Sequence, residues 1–383
     1  MTAEVASDPV AASPRERGWR WFLVALALLA AANTAPRWTP ALALVGGVVR
    51  LLLPIEQVVV LTVVAVAACY VVGWWAGGRF TLALGWVGIA GWMLWQLPFP
   101  VAGYGAFVRG WSLSLGAAFG LVCLVSRSRP FLSRALTAVA VAAAVAFFGM
   151  ALGSSAETSL TDGSRMVGRE YQRRVSESVI RWQQRTASPS WETFAARMPS
   201  AAARAERLAS VLGALGTPGS AEEGGSMRSW GPLAVLSPAL LALESLLALA
   251  LGWAAYHRLA RVRIGPPLAP LREVRFNDQL VWGLVAGTTV FLLPTLAEWR
   301  ALGANLTCFF GTLYALRGAG VLTWWMPNRV AVVAPIGLLV LAVVLGPIQV
   351  LSMVLLAMFI LGLGDTWRDF RADAGVRRPG SLR

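Results

Sequence analysis

Long uncharged apolar segments, separated by short joints that carry arginines, restrict the fold of this chain more than any other feature. A helix needs about 20 residues to cross the hydrocarbon core of a bilayer. Because lipid offers the backbone no hydrogen-bond partners, segments of that kind must be helical. The sequence therefore predicts an all-α, polytopic transmembrane helical bundle. The segments with enough apolar length are residues 57–76, 80–97, 131–152, 231–256, 278–297, 302–326 and 330–364.

Composition and charge agree with this class. The chain is 57% hydrophobic and only 14% charged, whereas a soluble domain carries about 25% charged residues. Its net charge is +14, and every basic residue is arginine. A nucleic-acid-binding protein would cluster these arginines on one soluble face. Here they mark the ends of apolar segments, so we expect the lipid bilayer as partner and no nucleic acid.

The arginines also predict the orientation of the chain in the membrane. Cytoplasmic joints carry an excess of basic residues, which places residues 126–134, residues 257–277 and the tail after residue 366 in the cytoplasm. Residues 20–35 are interpreted as an uncleaved first span. Residues 38–54 are short and bounded by prolines, so they form either a full span or a re-entrant segment. We favour the re-entrant form, which gives about ten spans in a bacterial inner membrane, with both termini inside.

Five regions follow from this organisation. The segment between the two membrane parts has two stretches, residues 165–185 and 191–215, with apolar side chains on one helical face. These amphipathic helices either lie on the membrane surface and over the spans, or form a lid or a docking element. The regions are a disordered cytoplasmic tail (1–19), an N-terminal bundle (20–152), an extracytoplasmic helical segment with its linker (153–230), a C-terminal bundle (231–365) and a cytoplasmic tail (366–383).

Residues with catalytic or metal-binding chemistry are scarce. The cysteines Cys69, Cys123 and Cys308 stand apart, and His257 is the single histidine. No HExxH, GxSxG or GxxxxGK[ST] motif is present. We therefore expect no enzyme activity, no cofactor and no metal site.

Two ionisable side chains lie within predicted spans. Charges at membrane depth are costly and often functional, which singles out Glu244 and Arg317. Asn305 lies in the same predicted helix as Arg317 and offers a hydrogen-bonding amide. The three residues form a candidate intramembrane polar site. Glu244 and Arg317 either pair to fix the register of two helices, or line a cavity that binds a solute.

A second candidate motif follows the last span. Asp365, Asp369 and Arg371 belong to a stretch in which acids alternate with arginines. This pattern is typical of a solvated turn beside the membrane, and docking of a partner is the alternative.

The C-terminal half resembles a known family. The resemblance rests on RLARVRIGPPLAPLREVRFNDQLVWGLVAG, on LGANLTCFFGTLYALRGAGVLTWW with Asn305 and Arg317, and on the closing LGLGDTWRDFR with Asp365, Asp369 and Arg371. Over residues 231–373 the chain resembles the YybS-like family of bacterial multi-span membrane proteins, which is a domain family of unknown function. The resemblance implies distant similarity in fold to the substrate-binding subunits of energy-coupling-factor transporters.

Two functions from different classes remain open on the sequence alone. In the first, the chain binds or transports a small molecule through a polar site inside the bundle. In the second, it is a non-catalytic membrane scaffold or assembly factor of the bacterial envelope, acting on another membrane protein. A cavity that reaches Glu244 or Arg317 would favour the first function. An exposed apolar patch on residues 165–215 would favour the second.

Overall fold

A computed structural model describes most of the chain from residue 55 onward. The described ranges are 55–96, 103–126, 128–153, 156–200, 235–260, 262–326 and 347–368, together with residues 202–203, 206–207, 210 and 370. The predicted segments 20–35 and 38–54, and the first part of the segment 330–364 (residues 330–346), lie outside these ranges. The same holds for the tail 1–19 and for residues 371–383.

The described residues form α-helices and short 3-10 turns, and they contain no strand, so the all-α prediction is confirmed for them. The helices are α1 (Ile55–Trp75), α2 (Phe80–Gln96), α3 (Tyr104–Val125), α4 (Phe131–Gly153), α5 (Ala156–Thr186), α6 (Pro189–Arg197), α7 (Ser237–Leu259), α8 (Val281–Leu292), α9 (Arg300–Trp325) and α10 (Pro347–Trp367).

Five of the described helical stretches are long and apolar enough to cross a membrane. They are Gln57–Trp75, Tyr104–Val125, Ser237–Leu259, Pro294–Trp325 and Gln349–Trp367. Two shorter apolar helices, Phe131–Ala146 and Asp278–Leu292, accompany them. The count of about ten spans stays a prediction, since several of the segments that it needs lie outside the described residues.

Helix α3 has the length of a span, but the apolar segments found in the sequence do not include it. Its mean hydropathy is 1.6, against 2.3 for α1, because Arg109, Ser112 and several glycines dilute its apolar residues. The structure explains this composition. Ser112 is buried, and a side chain at Gly116 would lie 2.6 Å from Val64 of α1. Small residues in α3 therefore let two membrane helices approach closely.

The predicted span 278–297 is shorter in the structure. Helix α8 ends at Leu292, and a 3-10 turn from Pro294 to Trp299 follows. The residue before a proline is pushed toward an extended backbone, and Leu293 has φ −71° and ψ 121°. Pro294 therefore ends the helix before it reaches the predicted length.

Helices α1, α3 and α7 run side by side in the same direction. Near the starts of α1 and α3, Tyr104 donates a hydrogen bond to Gln57. Near the ends of α1 and α7, Gly73 lies against the hydroxyl of Tyr256. We call the end with Tyr104 and Gln57 the insert end, because α5 packs there; orientation by the arginines predicts that it is extracytoplasmic.

Candidate functional site

Helix α5 covers the insert end of the bundle with one apolar face. Val167 and Tyr171 are buried and form a cluster with Tyr104 and Val108 of α3. Both α5 residues belong to the apolar face predicted for residues 165–185. That helix therefore packs onto the bundle with the predicted face, and its polar side chains come within reach of the spans.

Glu244 of α7 lies beside this cluster, within hydrogen-bond distance of Tyr171. Its side chain is almost fully enclosed, with an exposure of 1% for the residue. The hydroxyl of Tyr171 donates to Glu244 Oε1 at 3.4 Å. Glu244 Oε2 is also buried, and no described residue gives it a hydrogen bond. A buried acceptor without a partner is costly, so this oxygen calls for an explanation.

The side chain of Arg174, also in α5, contacts bundle residues in the same region at the insert end. Its Nη2 donates to Gln57 Oε1 at 3.2 Å and to the Tyr104 hydroxyl at 3.1 Å. The guanidinium also lies 5.7 Å from the ring centre of Tyr104 and 5.1 Å from that of Tyr171, within the range of a cation–π contact. We call Gln57, Tyr104, Tyr171 and Glu244 the tyrosine cage.

A carboxylate on α5 holds Arg174 in this orientation. Glu170 Oε1 accepts from Arg174 Nε at 3.0 Å, and Arg173 binds the same carboxylate at 2.6 Å. Burial raises the pKa of Glu170, but the hydrogen bonds from Arg173 and the charge of Arg174 outweigh burial and lower it below its ordinary value. Burial also raises the pKa of Tyr171 well above its ordinary value. Tyr171 is therefore a neutral hydrogen-bond donor.

The lowered pKa of Glu170 predicts that acid loosens α5. A carboxylate whose pKa falls on folding stabilises the fold above its unfolded pKa, and that contribution is lost as the pH drops through the folded pKa. We expect amide hydrogen exchange in α5 to accelerate, relative to α7, once the pH falls below about 4. Glu170→Gln should abolish this acid-dependent difference, while replacement of the exposed Glu192 of α6 by Gln should keep it. An unchanged pH profile in Glu170→Gln would contradict the assignment.

Arg317 forms a second polar network far along α9. Its Nε donates to Asp365 Oδ2 at 2.9 Å and its Nη2 to the Asp365 carbonyl at 3.0 Å. Its Nη1 binds Asp278 at 2.6 Å, and its guanidinium lies over the ring of Phe276 at 5.5 Å. Arg317 thus joins α9, the end of α10 and the turn before α8.

Two glycines make this network possible. A side chain on Gly318 would collide with the Met358 carbonyl of α10, and a side chain on Gly362 would collide with the Tyr314 carbonyl of α9. The two backbones therefore touch where α9 and α10 cross. This approach places Arg317, the neighbour of Gly318, within reach of both the side chain and the backbone of Asp365.

Asn305 is a cap on α7. Its Oδ1 accepts from the Ala239 N–H at 2.9 Å. Its Nδ2 donates to the Val235 carbonyl at 2.7 Å and to the Ala301 carbonyl at 2.8 Å. The first N–H groups of a helix lack partners within the helix, and Asn305 supplies one from the start of α9.

The three residues predicted to form one intramembrane site therefore have separate partners. Glu244 binds Tyr171 in the tyrosine cage, Arg317 binds Asp365 and Asp278, and Asn305 binds backbone at the start of α7. The ion pair between Glu244 and Arg317, one of the two alternatives left open by the sequence, is not formed. Comparable depth in two helices does not determine which faces of the helices meet. The rotation of each helix about its own axis sets those faces and therefore decides which side chains pair.

The motif after the last span is only partly described. Asp365 is 3% exposed, so the prediction of a solvated turn is wrong at this position, because α9 covers it with Arg317. Asp369 and Arg371 lie outside the described residues. Phe370 contacts the ring of Trp325 at a centre distance of 5.7 Å.

Sequence reasoning missed several members of both networks. Gln57 and Tyr104 begin apolar helices and carry no charge, so they attracted no attention. Arg174 lies three residues after Tyr171 on one helix face, and this spacing was the available signal. Asp278 lies in a loop, where an acid is ordinary.

Another buried charge is found in α4. Arg134 is 1% exposed, and its guanidinium lies 4.4 Å from the ring centre of Trp253. No described residue offers a hydrogen-bond partner to its three guanidinium nitrogens. The π face of Trp253 is its main favourable contact.

A half-open cavity of about 260 Å³ lies at the end of the bundle opposite the insert end. It is formed by the α1–α2 turn and the end of α7, and its lining includes Tyr70, Trp74, Arg79 and Tyr256. Neither Glu244 nor Arg317 lines it. This cavity is therefore distinct from both polar networks.

Comparison with known proteins supports the membrane class. A family model described as a predicted membrane protein (DUF2232) matches residues 190–366. The matched part is less than half of the 383 residues; it includes α7 to α10 and leaves out α1 to α5. No curated protein and no solved structure matches the chain. Together with the membrane-length helices, this similarity indicates an integral membrane protein.

Proposed function

We propose that the chain binds a small polar molecule in the tyrosine cage and carries it into or across the membrane. Glu244 is the buried acceptor of this molecule, and α5 is the lid above it. The role is non-catalytic. The observation that carries the proposal is Glu244 Oε2, which is buried in a span and lacks a hydrogen bond from any described residue.

The position of this carboxylate supports a binding role. An ionisable group within a membrane span is expensive and is retained mainly where it binds or couples something. Glu244 contributes no ion pair to the packing of α7 against its neighbours among the described residues. Among the described residues, its side chain accepts a hydrogen bond from Tyr171, which lies on α5 and therefore outside the five candidate spans.

The described contacts between α5 and the cage are of two kinds. The helix is attached to the cage by polar side chains and by a small apolar cluster with α3. The more distant resemblance to substrate-binding subunits of energy-coupling-factor transporters points in the same direction, although a shared fold does not fix a function.

Neither observation named on the sequence as decisive is made in the described part of the structure: the cavity does not reach Glu244 or Arg317, and the described residues of 165–215 expose no contiguous apolar patch. Among the described side chains of α5, α6 and the residue that follows, the exposed large hydrophobic ones are Ile180 and Met198. Two such residues are ordinary for a protein surface, whereas a docking surface exposes a contiguous apolar patch.

The test is purification in mild detergent followed by mass spectrometry of whatever co-purifies. We expect a small molecule with the native protein and with Glu192→Gln, and its loss from Glu244→Gln at equal monodisperse yield. Retention of the molecule by Glu244→Gln would refute the assignment of the site. A stoichiometric partner protein, with no small molecule, would establish the scaffold alternative instead.

A further inference from the structure

We infer that the molecule bound in the tyrosine cage carries a guanidinium or ammonium group, and that Arg174 occupies the position of this group as a tethered competitor. The inference rests on the proposed function and specifies its substrate class. It follows from the groups that line the cage and from the way in which Arg174 fills it.

The cage presents groups that attract a cation. Gln57 contributes its Oε1, Glu244 contributes a carboxylate, and Tyr104 and Tyr171 contribute their ring faces. The negative faces of aromatic rings attract cations, and guanidinium and quaternary ammonium groups are bound in this way. An anion placed there would meet the same ring faces, which repel negative charge.

Arg174 already shows how a guanidinium fits. One of its nitrogens binds Gln57 and Tyr104 together, and its plane lies near both tyrosine rings. Its charge also acts on Glu244, although the two groups form no direct ion pair. The Arg174 side chain is 13% exposed. If α5 withdrew, a cation of similar shape would find Gln57, Tyr104 and Glu244. If Arg174 alone were removed, it would also find the ring of Tyr171.

The position of Arg174 on the lid makes this exchange possible. Arg174, Tyr171 and Glu170 belong to α5, whereas Gln57, Tyr104 and Glu244 belong to the bundle. When α5 leaves, Glu170 leaves with Arg174 as an i,i+4 pair, and Glu244 remains as the one acidic group of the cage. An incoming cation would take the place that Arg174 leaves and bind Glu244, so opening and cation entry are coupled.

The experiment measures binding of methylguanidinium to the full-length protein in detergent by isothermal titration, with neutral methylurea and acetate as comparison probes. We expect Arg174→Ala to bind methylguanidinium at least tenfold more tightly than the native protein. Arg169→Ala, which removes an exposed arginine from the same helix, should bind like the native protein. Adding Glu244→Gln to Arg174→Ala should remove the gain. Methylguanidinium should also raise the unfolding midpoint of Arg174→Ala, whereas methylurea and acetate should not.

Each other outcome has a defined meaning. Equal binding by the native protein and Arg174→Ala, or a preference of Arg174→Ala for methylurea or acetate, would overturn the inference. If a neutral or anionic molecule co-purifies in a Glu244-dependent manner, the proposed function stands and the cation specificity is wrong. If neither the mass spectrometry nor these probes reveal a ligand, both fail. Arg174→Gln, which keeps the side-chain length without the charge, replaces Arg174→Ala if the alanine variant does not fold.

Discussion

Replacement of Gly318 by Val is expected to separate α9 from α10 and to leave little folded protein. A Cβ at position 318 would overlap the Met358 carbonyl and come within 2.8 Å of the Gly362 N. Overpacked side chains in a core usually cost about 1–3 kcal/mol because neighbours can shift. Here the neighbour is helix backbone, which has no rotamer to change, so we expect a loss of at least about 3 kcal/mol.

The measurement is the fraction of monodisperse protein that survives a temperature series in detergent. Gly311→Ala is the matched control on the same helix, because a Cβ there would meet Phe359 at an ordinary 4.0 Å. That control should be neutral or slightly stabilising, since alanine favours helix over glycine by up to about 1 kcal/mol. A Gly318→Val protein as stable as Gly311→Ala would show that the two backbones do not touch at this crossing.

The helical membrane class could be predicted from the sequence because it depends on local properties. Apolar length and the need for internal backbone hydrogen bonds leave few alternatives. The apolar face of α5 was predictable for the same reason, as the helical period places Val167 and Tyr171 on one side. Helix α3 was missed because its small and polar residues lower its mean hydropathy, although two of the small ones, Gly116 and Gly120, lie against α1.

Two buried charged residues of the candidate sites could be predicted from the sequence, but the residues they pair with could not. Glu244 and Arg317 were singled out correctly as buried charges, since their segments alone determine membrane depth. Their partners depend on how each helix is rotated and on which helices are neighbours, and neither quantity is encoded locally. Asp365, the partner of Arg317, lies 48 residues after it in the sequence. Tyr171, the donor to Glu244, lies 73 residues before Glu244.

Asp365, near the end of α10, is another residue whose partner could not be predicted from its own segment. Its neighbours in the sequence are acids and arginines, which is typical of a solvated turn. The close crossing at Gly318 and Gly362 brings α9 over it and turns a surface-like sequence into a buried ion pair. Only the two glycines hinted at such an approach: Gly318 is the residue after Arg317, and Gly362 lies three residues before Asp365.

Replacement of Asp365 by Ala is expected to be the most damaging charge change in the described chain. It would leave Arg317, whose side chain is 6% exposed, with Asp278, whose side chain is 60% exposed. Breaking a buried pair by removing one partner costs about 3–5 kcal/mol when the other charge stays buried, and the exposed Asp278 offsets little of this cost because solvent screens it. Asp278→Ala should cost about 1 kcal/mol or less, as exposed partners contribute little.

A double-mutant cycle by thermal unfolding separates this ion pair from simple loss of packing. If Arg317 is the group left uncompensated, Arg317→Leu combined with Asp365→Leu should recover most of the stability that Asp365→Ala loses, since an apolar pair of similar volume removes the buried charge. The same cycle between Arg317 and Glu244 should give no coupling, because those residues have different partners. Additive losses for Arg317 and Asp365, or strong coupling of Arg317 to Glu244, would show that the charges are paired in the other way.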